Sequence, residues 1–267
     1  MTIPGPDDAI ARGVTVAYRA RFDECGPDGA VRSSALLRYA QDVAWIHSER
    51  LGFGREWYAE RNLAWVVRAM ELGVLAPITL GTTIALSTSV SGFRKVWARR
   101  RTEGRDEAGR LVAWGHTDWV MTDTVRGLPG RVPAEFPAAF AVPPGGFEPA
   151  RVPLPATPAD AVRHASRVRP QDVDPMGHVN NAAYVDYLEE TLLAGGSAGA
   201  SATTATPRRI RLEYLVAAVP GAALVGEAWA LTPEPFEGGH APGGGWGWRL
   251  HDADGRELAR ARVDAGA

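Results

Sequence analysis

The sequence predicts an α+β protein built as two tandem copies of one design, each a long antiparallel sheet wrapped around a single helix. Three observations carry this. Arg21, Gly29, Val31 and Tyr39 recur as Arg169, Gly177, Val179 and Tyr187, each 148 positions further on. Asp106-Glu107-Ala108-Gly109-Arg110-Leu111 is echoed, 146 positions on, by the segment Asp252-Ala253-Asp254-Gly255-Arg256-Glu257. Each half holds one helix-period segment among several strand-like ones, and a sheet that wraps the helix buries the apolar face of both.

In the first half an extended start and the turn at Gly29 lead into an amphipathic helix from about Ser33 to Leu51. Leu36, Leu37, Tyr39, Ala40, Val43, Ala44 and Ile46 recur there at helical spacing. Ile84, Leu86, Thr88 and Val90 then alternate as a strand does, and Val96 to Arg105 and Leu111 to Asp123 form two arms around the turn at Gly109. In the second half Tyr184, Tyr187, Leu188, Thr191 and Leu192 mark the helix. Arg208 to Ala217, Leu224 to Leu231, Trp246 to His251 and Leu258 to Val263 read as strands. Nine prolines between Leu128 and Pro158 read as a linker. The division is therefore residues 1–127, a linker at 128–158, and residues 159–267. Ala194 to Thr206 and Gly238 to Gly245, rich in small residues, read as mobile.

Composition narrows the classes. Of 267 residues 45% are hydrophobic and 22% charged, which suits a globular chain with a sizeable core. The formal net charge of -2 offers no global field for nucleic acid or an anionic membrane. Lys95 is the only lysine, so positive charge is almost all arginine. The single cysteine, Cys25, excludes an intrachain disulfide and a thiolate metal cluster. Met1 to Asp8 has neither a basic nor an apolar targeting region, and no apolar run approaches the roughly 20 residues that span a bilayer. A cytoplasmic setting is the expectation.

Chemistry concentrates in Asp172-Val173-Asp174-Pro175-Met176-Gly177-His178-Val179-Asn180-Asn181. Asp174 before a helix N-terminus faces its partial positive charge and is the first candidate for a general base. His178 is the second catalytic candidate. Gly177 lets a carbonyl approach the backbone, and N–H groups around His178 and Val179 suit an oxyanion. One of Asn180 and Asn181 caps the helix and the other orients the loop. Asp172 or Asp174 is otherwise a turn-forming or capping residue. No second histidine or carboxylate sits at ligand spacing, so no metal is expected. His47, His116, His164, His240 and His251 read as structural. In the first half Gly26 and Ala30 stand at the positions of Asp174 and His178, so that copy keeps the turn and loses the chemistry.

These residues resemble the loop of hotdog-fold thioesterases. Gly26-Pro27-Asp28-Gly29, Tyr39-Ala40-Gln41-Asp42, Leu63 to Met70 and Trp119 to Asp123 are similar to the first half of acyl-acyl-carrier-protein thioesterases. Asp172 to Tyr184 and Arg211-Leu212-Glu213-Tyr214 are similar to the catalytic half. The resemblance implies a tandem hotdog fold and hydrolysis of a fatty-acyl thioester on acyl-carrier protein or CoA. It also implies no cofactor, and a monomeric pseudo-dimer or a homodimer. Asp174 and His178 match the family's catalytic Asp and His, whereas Met176 stands at its Asn and Ala217 at its later Glu. These two departures favour an alternative function, an acyl-binding or acyl-sensing protein without turnover, whereas a hydratase on the same fold is disfavoured because no hydratase-type Asp-to-His pairing spans the halves. Trp65, Val66, Val67 and Met70 are the candidates to line the acyl channel, with core packing as their alternative use. Arg99 to Arg101 and Arg208, Arg209 and Arg211 are two candidate faces for an acidic carrier protein.

Overall fold

The computed structural model describes residues 8–142, 145–239 and 242–266, the side chains of Asp8 and Pro242 excepted. Met1 to Asp7, Pro143 and Pro144 of the proline-rich stretch, His240 and Ala241 of the Gly-rich segment, and Ala267 lie outside the described residues. The chain divides into two compact units. The first holds Met1–Val31, Arg38–Arg68 and Ile78–Ala150, and the second holds Arg32–Leu37, Ala69–Pro77 and Arg151–Ala267.

The first unit contains α1 (Asp8–Arg12), β1 (Val14–Arg19), most of α2 (Ser33–Arg50), α3 (Arg55–Glu60) and the start of β2 (Leu63–Val74). It continues with β3 (Thr83–Arg94), β4 (Trp97–Arg105), β5 (Leu111–Asp123), β6 (Leu128–Pro129) and α4 (Phe136–Ala139). Its sheet runs β1-β3-β4-β5-β2. Ile84, Leu86, Thr88 and Val90 are buried as their alternation predicts, each pointing to the same face. From α2, His47 accepts at Nδ1 from the Arg100 guanidinium of β4 (2.9 Å) and donates from Nε2 to the Ile10 carbonyl (2.8 Å). Arg100 also donates to Ser48 Oγ, so a buried guanidinium meets the last turn of α2, where the helix dipole is negative.

The proline-rich stretch carries structure of its own. β6 pairs with β5, and Phe136, 1% exposed, joins Phe140, Phe53 and Tyr58 in an aromatic core. Prolines lack N–H groups, so the chain after α4 is held largely through its carbonyls. Arg94 donates to Phe147 O, Arg99 donates to Glu148 O, and the Ala150 N–H reaches buried Asp118 at 2.7 Å.

The second unit adds to Ala69–Pro77 the elements β7 (Val162–Arg167), α5 (Ala183–Ala194), α6 (Gly196–Thr204), β8 (Arg208–Tyr214), β9 (Ala223–Leu231), β10 (Pro242–Asp252) and β11 (Glu257–Gly266). Its sheet runs β2-β8-β11-β10-β9-β7, all antiparallel, with Met70 opposite Leu212. The helix α5 packs on β7 and β9. That approach requires Gly226, because a Cβ there would lie 2.1 Å from Thr191 Oγ1 on α5. Thr191 in turn accepts from Trp248 Nε1 at 3.1 Å. Val152 N–H and Arg151 both bind buried Glu213, a second carboxylate that anchors this stretch.

One expectation is overturned. Ala194 to Thr206 is not a mobile loop, since α6 occupies most of it. Gly199 lets this helix lie against the Leu192 carbonyl, where a Cβ would be 1.9 Å away, so tertiary contact outweighs the weak helix propensity of Gly, Ser and Thr. The Gly-rich segment near residue 240 is shorter than expected as well, because β10 begins at Pro242.

Candidate active site

The loop between β7 and α5 is built on Asp172. A short 3-10 turn over Pro170–Asp172 brings its carboxylate back to Arg169, whose N–H (2.8 Å), Nε (3.0 Å) and Nη2 (2.9 Å) all donate to it. Tyr187 of α5 donates its hydroxyl to the same group at 2.7 Å, and Asp172 is 3% exposed. Burial alone would raise this carboxyl, but the hydrogen bonds from Arg169 and Tyr187 outweigh it and hold Asp172 below the usual carboxylate range. Burial and the Asp172 carboxylate push the Tyr187 phenol up.

Beyond it, Val173 and Val179 face each other in a single antiparallel bridge. The flanking residues carry its hydrogen bonds, Asp174 N–H to His178 O (2.8 Å) and Asn180 N–H to Asp172 O (2.7 Å), which leaves the Val179 N–H out of the pairing. Between them Gly177, at φ +76°, closes the turn by donating to Asp174 O at 2.9 Å. Asp174 Oδ1 accepts the Met176 N–H at 2.9 Å and, weakly, the His178 N–H at 3.4 Å.

This corrects the expected setting of Asp174. The helix α5 begins only at Ala183, nine residues beyond Asp174, and none of the N–H groups bound to the carboxylate belongs to it. The carboxylate is held by N–H groups of its own loop, an Asx-type turn. Asn180 makes the turn that leads into the helix, its Oδ1 accepting the Ala182 N–H at 2.9 Å. Asn181 is tied through its carbonyl to the Tyr214 hydroxyl (3.0 Å), and Tyr184 accepts the Ala218 N–H (2.9 Å), so the chain after β8 flanks this loop. Asp174 is half-buried and His178 exposed, on one turn; Met176 is 53% exposed and Ala217 is exposed.

The four apolar candidates do not share a surface. Alternation along β2 sets Trp65 and Val67 on one face and Val66 and Met70 on the other. Trp65 donates to the Tyr58 hydroxyl (3.0 Å) and packs on the aromatic core, Val66 is 37% exposed, and Met70 is buried within the second unit.

The two arginine clusters differ from expectation too. Arg99 is paired to Asp118, Arg100 is buried against His47 and Ser48, and Arg101 is bound by Glu103. In the second unit Arg209 meets Asp264 (2.8 Å) and Glu71 (3.6 Å), Arg211 meets Glu234, and Arg208 donates to Ser33 and to Ala205 O. Arg99, Arg209 and Arg211 thus find acidic partners outside their own strands, which neither run of arginines shows by itself.

The loop has a twin in the first unit, and the repeat is closer than the sequence matches indicate. Gly26 N–H donates to Ala30 O (2.8 Å), Gly29 N–H donates to Gly26 O (2.9 Å), Gly29 lies at φ +76°, and Cys25 bridges Val31. Glu24 accepts from the Arg21 N–H (3.0 Å), from the Arg21 guanidinium (2.7 Å) and from the Tyr39 hydroxyl. Sequence comparison of the halves pairs Arg21 with Arg169 and Tyr39 with Tyr187 but misses the acid between them. The signal was an Arg followed at the third residue by Glu or Asp, in both halves.

Among the described residues no group of three or more His, Cys, Asp and Glu side chains is set to hold a metal ion, and no helix is long and apolar enough to cross a membrane. Comparison with known proteins gives the family. The acyl-ACP thioesterase N-terminal domain matches residues 14–140, and the acyl-ACP thioesterase C-terminal domain matches residues 156–223. A chloroplastic acyl-acyl-carrier-protein hydrolase of Cuphea viscosissima is 29% identical over 189 residues, which are 65% of this chain and 46% of that protein. The chain thus spans about half the length of the curated relatives it matches. A Lactobacillus plantarum structure, provisionally named an oleoyl thioesterase, superposes with a TM-score of 0.81 at 20% identity over 94% of this chain and 95% of that one. The 12:0-ACP thioesterase of Umbellularia californica does so with a TM-score of 0.73 at 21% identity, over 94% and 96%. These likenesses establish the tandem hotdog fold, and with both domains matched in order the chain belongs to the acyl-ACP thioesterase family.

Proposed function

We propose that the chain hydrolyses fatty-acyl thioesters, carried on acyl-carrier protein or on CoA, to a free fatty acid and a thiol. The observation that carries the reading is one turn on which Asp174, His178 and the Val179 N–H lie together, in a member of a thioesterase family. Asp174 spends Oδ1 on its own loop, so Oδ2 is the atom for a water proton. The water oxygen adds to the thioester carbonyl while its proton passes to Asp174. The carbon–sulfur bond then breaks, and the thiolate leaves with that proton. His178 hydrogen-bonds the carbonyl or the water, and the Val179 N–H donates to the oxyanion. The glycine at 177 keeps the approach open, and Asn180 and Asn181 fasten the loop to its surroundings. Losing one oxyanion donor typically costs on the order of 100-fold in rate.

In the same proposal residues 159–267 do the chemistry, residues 128–158 connect, and residues 1–127 bind the acyl chain, with Trp65 and Val67 on the face it meets. The setting is the cytoplasm, consistent with a lone buried cysteine, and the chain works as a monomeric pseudo-dimer or a homodimer. No step needs a cofactor. A second reading, acyl-thioester binding without turnover, is favoured by Met176 and Ala217 at two family catalytic positions. Asp174→Asn separates them. Hydrolysis should fall by roughly 100-fold or more, with the melting temperature unchanged. Full turnover in that variant refutes the mechanism, and a wild-type chain that binds acyl thioesters yet releases no thiol establishes the second reading.

A further inference from the structure

We infer that Asp172, held by Arg169 and Tyr187, is the positioning residue of the catalytic loop, a role resting on the hydrolytic reading above. Three facts combine. The Asp172 carboxylate fastens Tyr187 of α5 to the start of the loop, at 2.7 Å. Its carbonyl fixes the far end of the loop by accepting the Asn180 N–H at 2.7 Å. Asp174 is two residues away, inside the span these two bonds close. One residue therefore ties both ends of the turn carrying Asp174, His178 and the Val179 N–H to the helix behind it. Arg169 has a further ionic neighbour in Glu190 of α5 at 3.7 Å, so two side chains cross from loop to helix.

The first unit supplies the internal control. Arg21, Glu24 and Tyr39 make the same clamp under a loop that shares two backbone hydrogen bonds and the left-handed glycine, with glycine and alanine where the catalytic side chains would stand. Whatever the clamp contributes to folding, both copies share. Only the second copy has chemistry to position. Glu24 also shows that a longer carboxylate can serve, so Asp172→Glu is the natural rescue. Asp172 remains ionised and Tyr187 protonated through the neutral range, so the clamp itself does not titrate with the reaction.

The test uses the full chain and four variants, Asp172→Asn, Asp172→Glu, Tyr187→Phe and Glu24→Gln. Thiol release from lauroyl and palmitoyl thioesters of both acyl-carrier protein and CoA, and thermal unfolding, are measured for each. Asp172→Asn should lower kcat by about 10- to 100-fold with little change in KM, because a misplaced group costs rate rather than affinity. Asp172→Glu should recover much of the loss. Glu24→Gln should lose comparable stability and keep kcat within about twofold. Should Asp172→Asn not fold, Tyr187→Phe, which removes a single hydrogen bond, takes its place with a smaller loss of kcat. Equal kcat losses in the Glu24 and Asp172 variants, or none in either, make the clamp purely structural and overturn the inference. Should the wild-type chain release no thiol, the hydrolytic reading fails, and hydrogen exchange decides the positioning role. Gly177 and Asn180 amides should exchange at least about 10-fold faster in the Asp172 or Tyr187 variant, with α5 amides unchanged; unchanged loop protection overturns it.

Discussion

His47 is fully buried, and its two ring nitrogens are committed to opposite roles, Nε2 as donor to Ile10 O and Nδ1 as acceptor from Arg100. Only the neutral ring can do both. Burial, reinforced by the Arg100 charge, lowers its pKa to about 4. The unfolded chain takes up this proton near pH 6.5 and the folded chain does not. Stability from this group is thus present above about pH 6.5 and is lost as pH falls toward 4, by about 2 kcal/mol at pH 5. Urea unfolding of wild type and His47→Gln at pH 7 and pH 5 checks this, since the variant should lack that part of the acid loss. Glu189 on α5 has the opposite sign. Its carboxyl is enclosed by Ser33, Arg32 and Arg208, with Asp186 on its own helix, and burial raises its pKa to about 7 despite the Arg208 charge. Its contribution is fully present below the ordinary carboxylate range and is lost as pH rises through 7. Glu189→Gln should therefore gain melting temperature relative to wild type at pH 8 and not at pH 4. A difference that does not change with pH would show that Glu189 does not titrate in this window.

The strands β4 and β8 carry the arginines that a reading of one strand at a time offers to a carrier protein. Across the sheet they are structural. Asp264, 1% exposed, receives Arg209 and Arg262 and lies 3.6 Å from Arg211. Removing one member of such a cluster strands the rest. Arg209→Glu should cost roughly 3 kcal/mol or more in chemical unfolding. A variant of wild-type stability with only a raised KM for acyl-carrier protein would restore the docking role. Much of the element plan was legible in the sequence: the alternation of Ile84, Leu86, Thr88 and Val90, the turn at Gly109, and both long helices come from period and glycine placement alone. The features that escaped depended on partners outside the segment itself. The Gly-rich helix α6 is held by its contact with Leu192, the proline-rich stretch by side chains of β3, β4, β5 and β8, and Asp172 by a tyrosine fifteen residues on. The site was half-legible: its loop and its turn glycine could be read, whereas the carboxylate cradle of Asp174 needed the turn geometry.

At the scale of the whole chain, the two units keep one loop skeleton under different side chains. The first-unit loop preserves the two backbone bonds, the left-handed glycine and the acid–tyrosine clamp, yet it has Gly26 and Ala30 where the second has Asp174 and His178. Its remaining carboxylate, Asp28, is used locally, accepting the Ala30 N–H at 3.0 Å. A carboxylate holding a turn affects folding, and a carboxylate taking a proton from water affects rate, so the two loops should separate in opposite directions. Asp28→Ala should lower stability by roughly 1 kcal/mol, the usual worth of such a hydrogen bond, and leave kcat within about twofold, a change in transition-state energy below about 0.5 kcal/mol. Asp174→Asn should do the reverse. Measuring kcat and unfolding free energy for both variants on the same acyl-CoA substrate resolves this. A rate loss of about 100-fold from Asp28→Ala in a folded protein, some 2.7 kcal/mol of lost transition-state stabilisation, would put chemistry in the first unit and reverse the proposed division of labour.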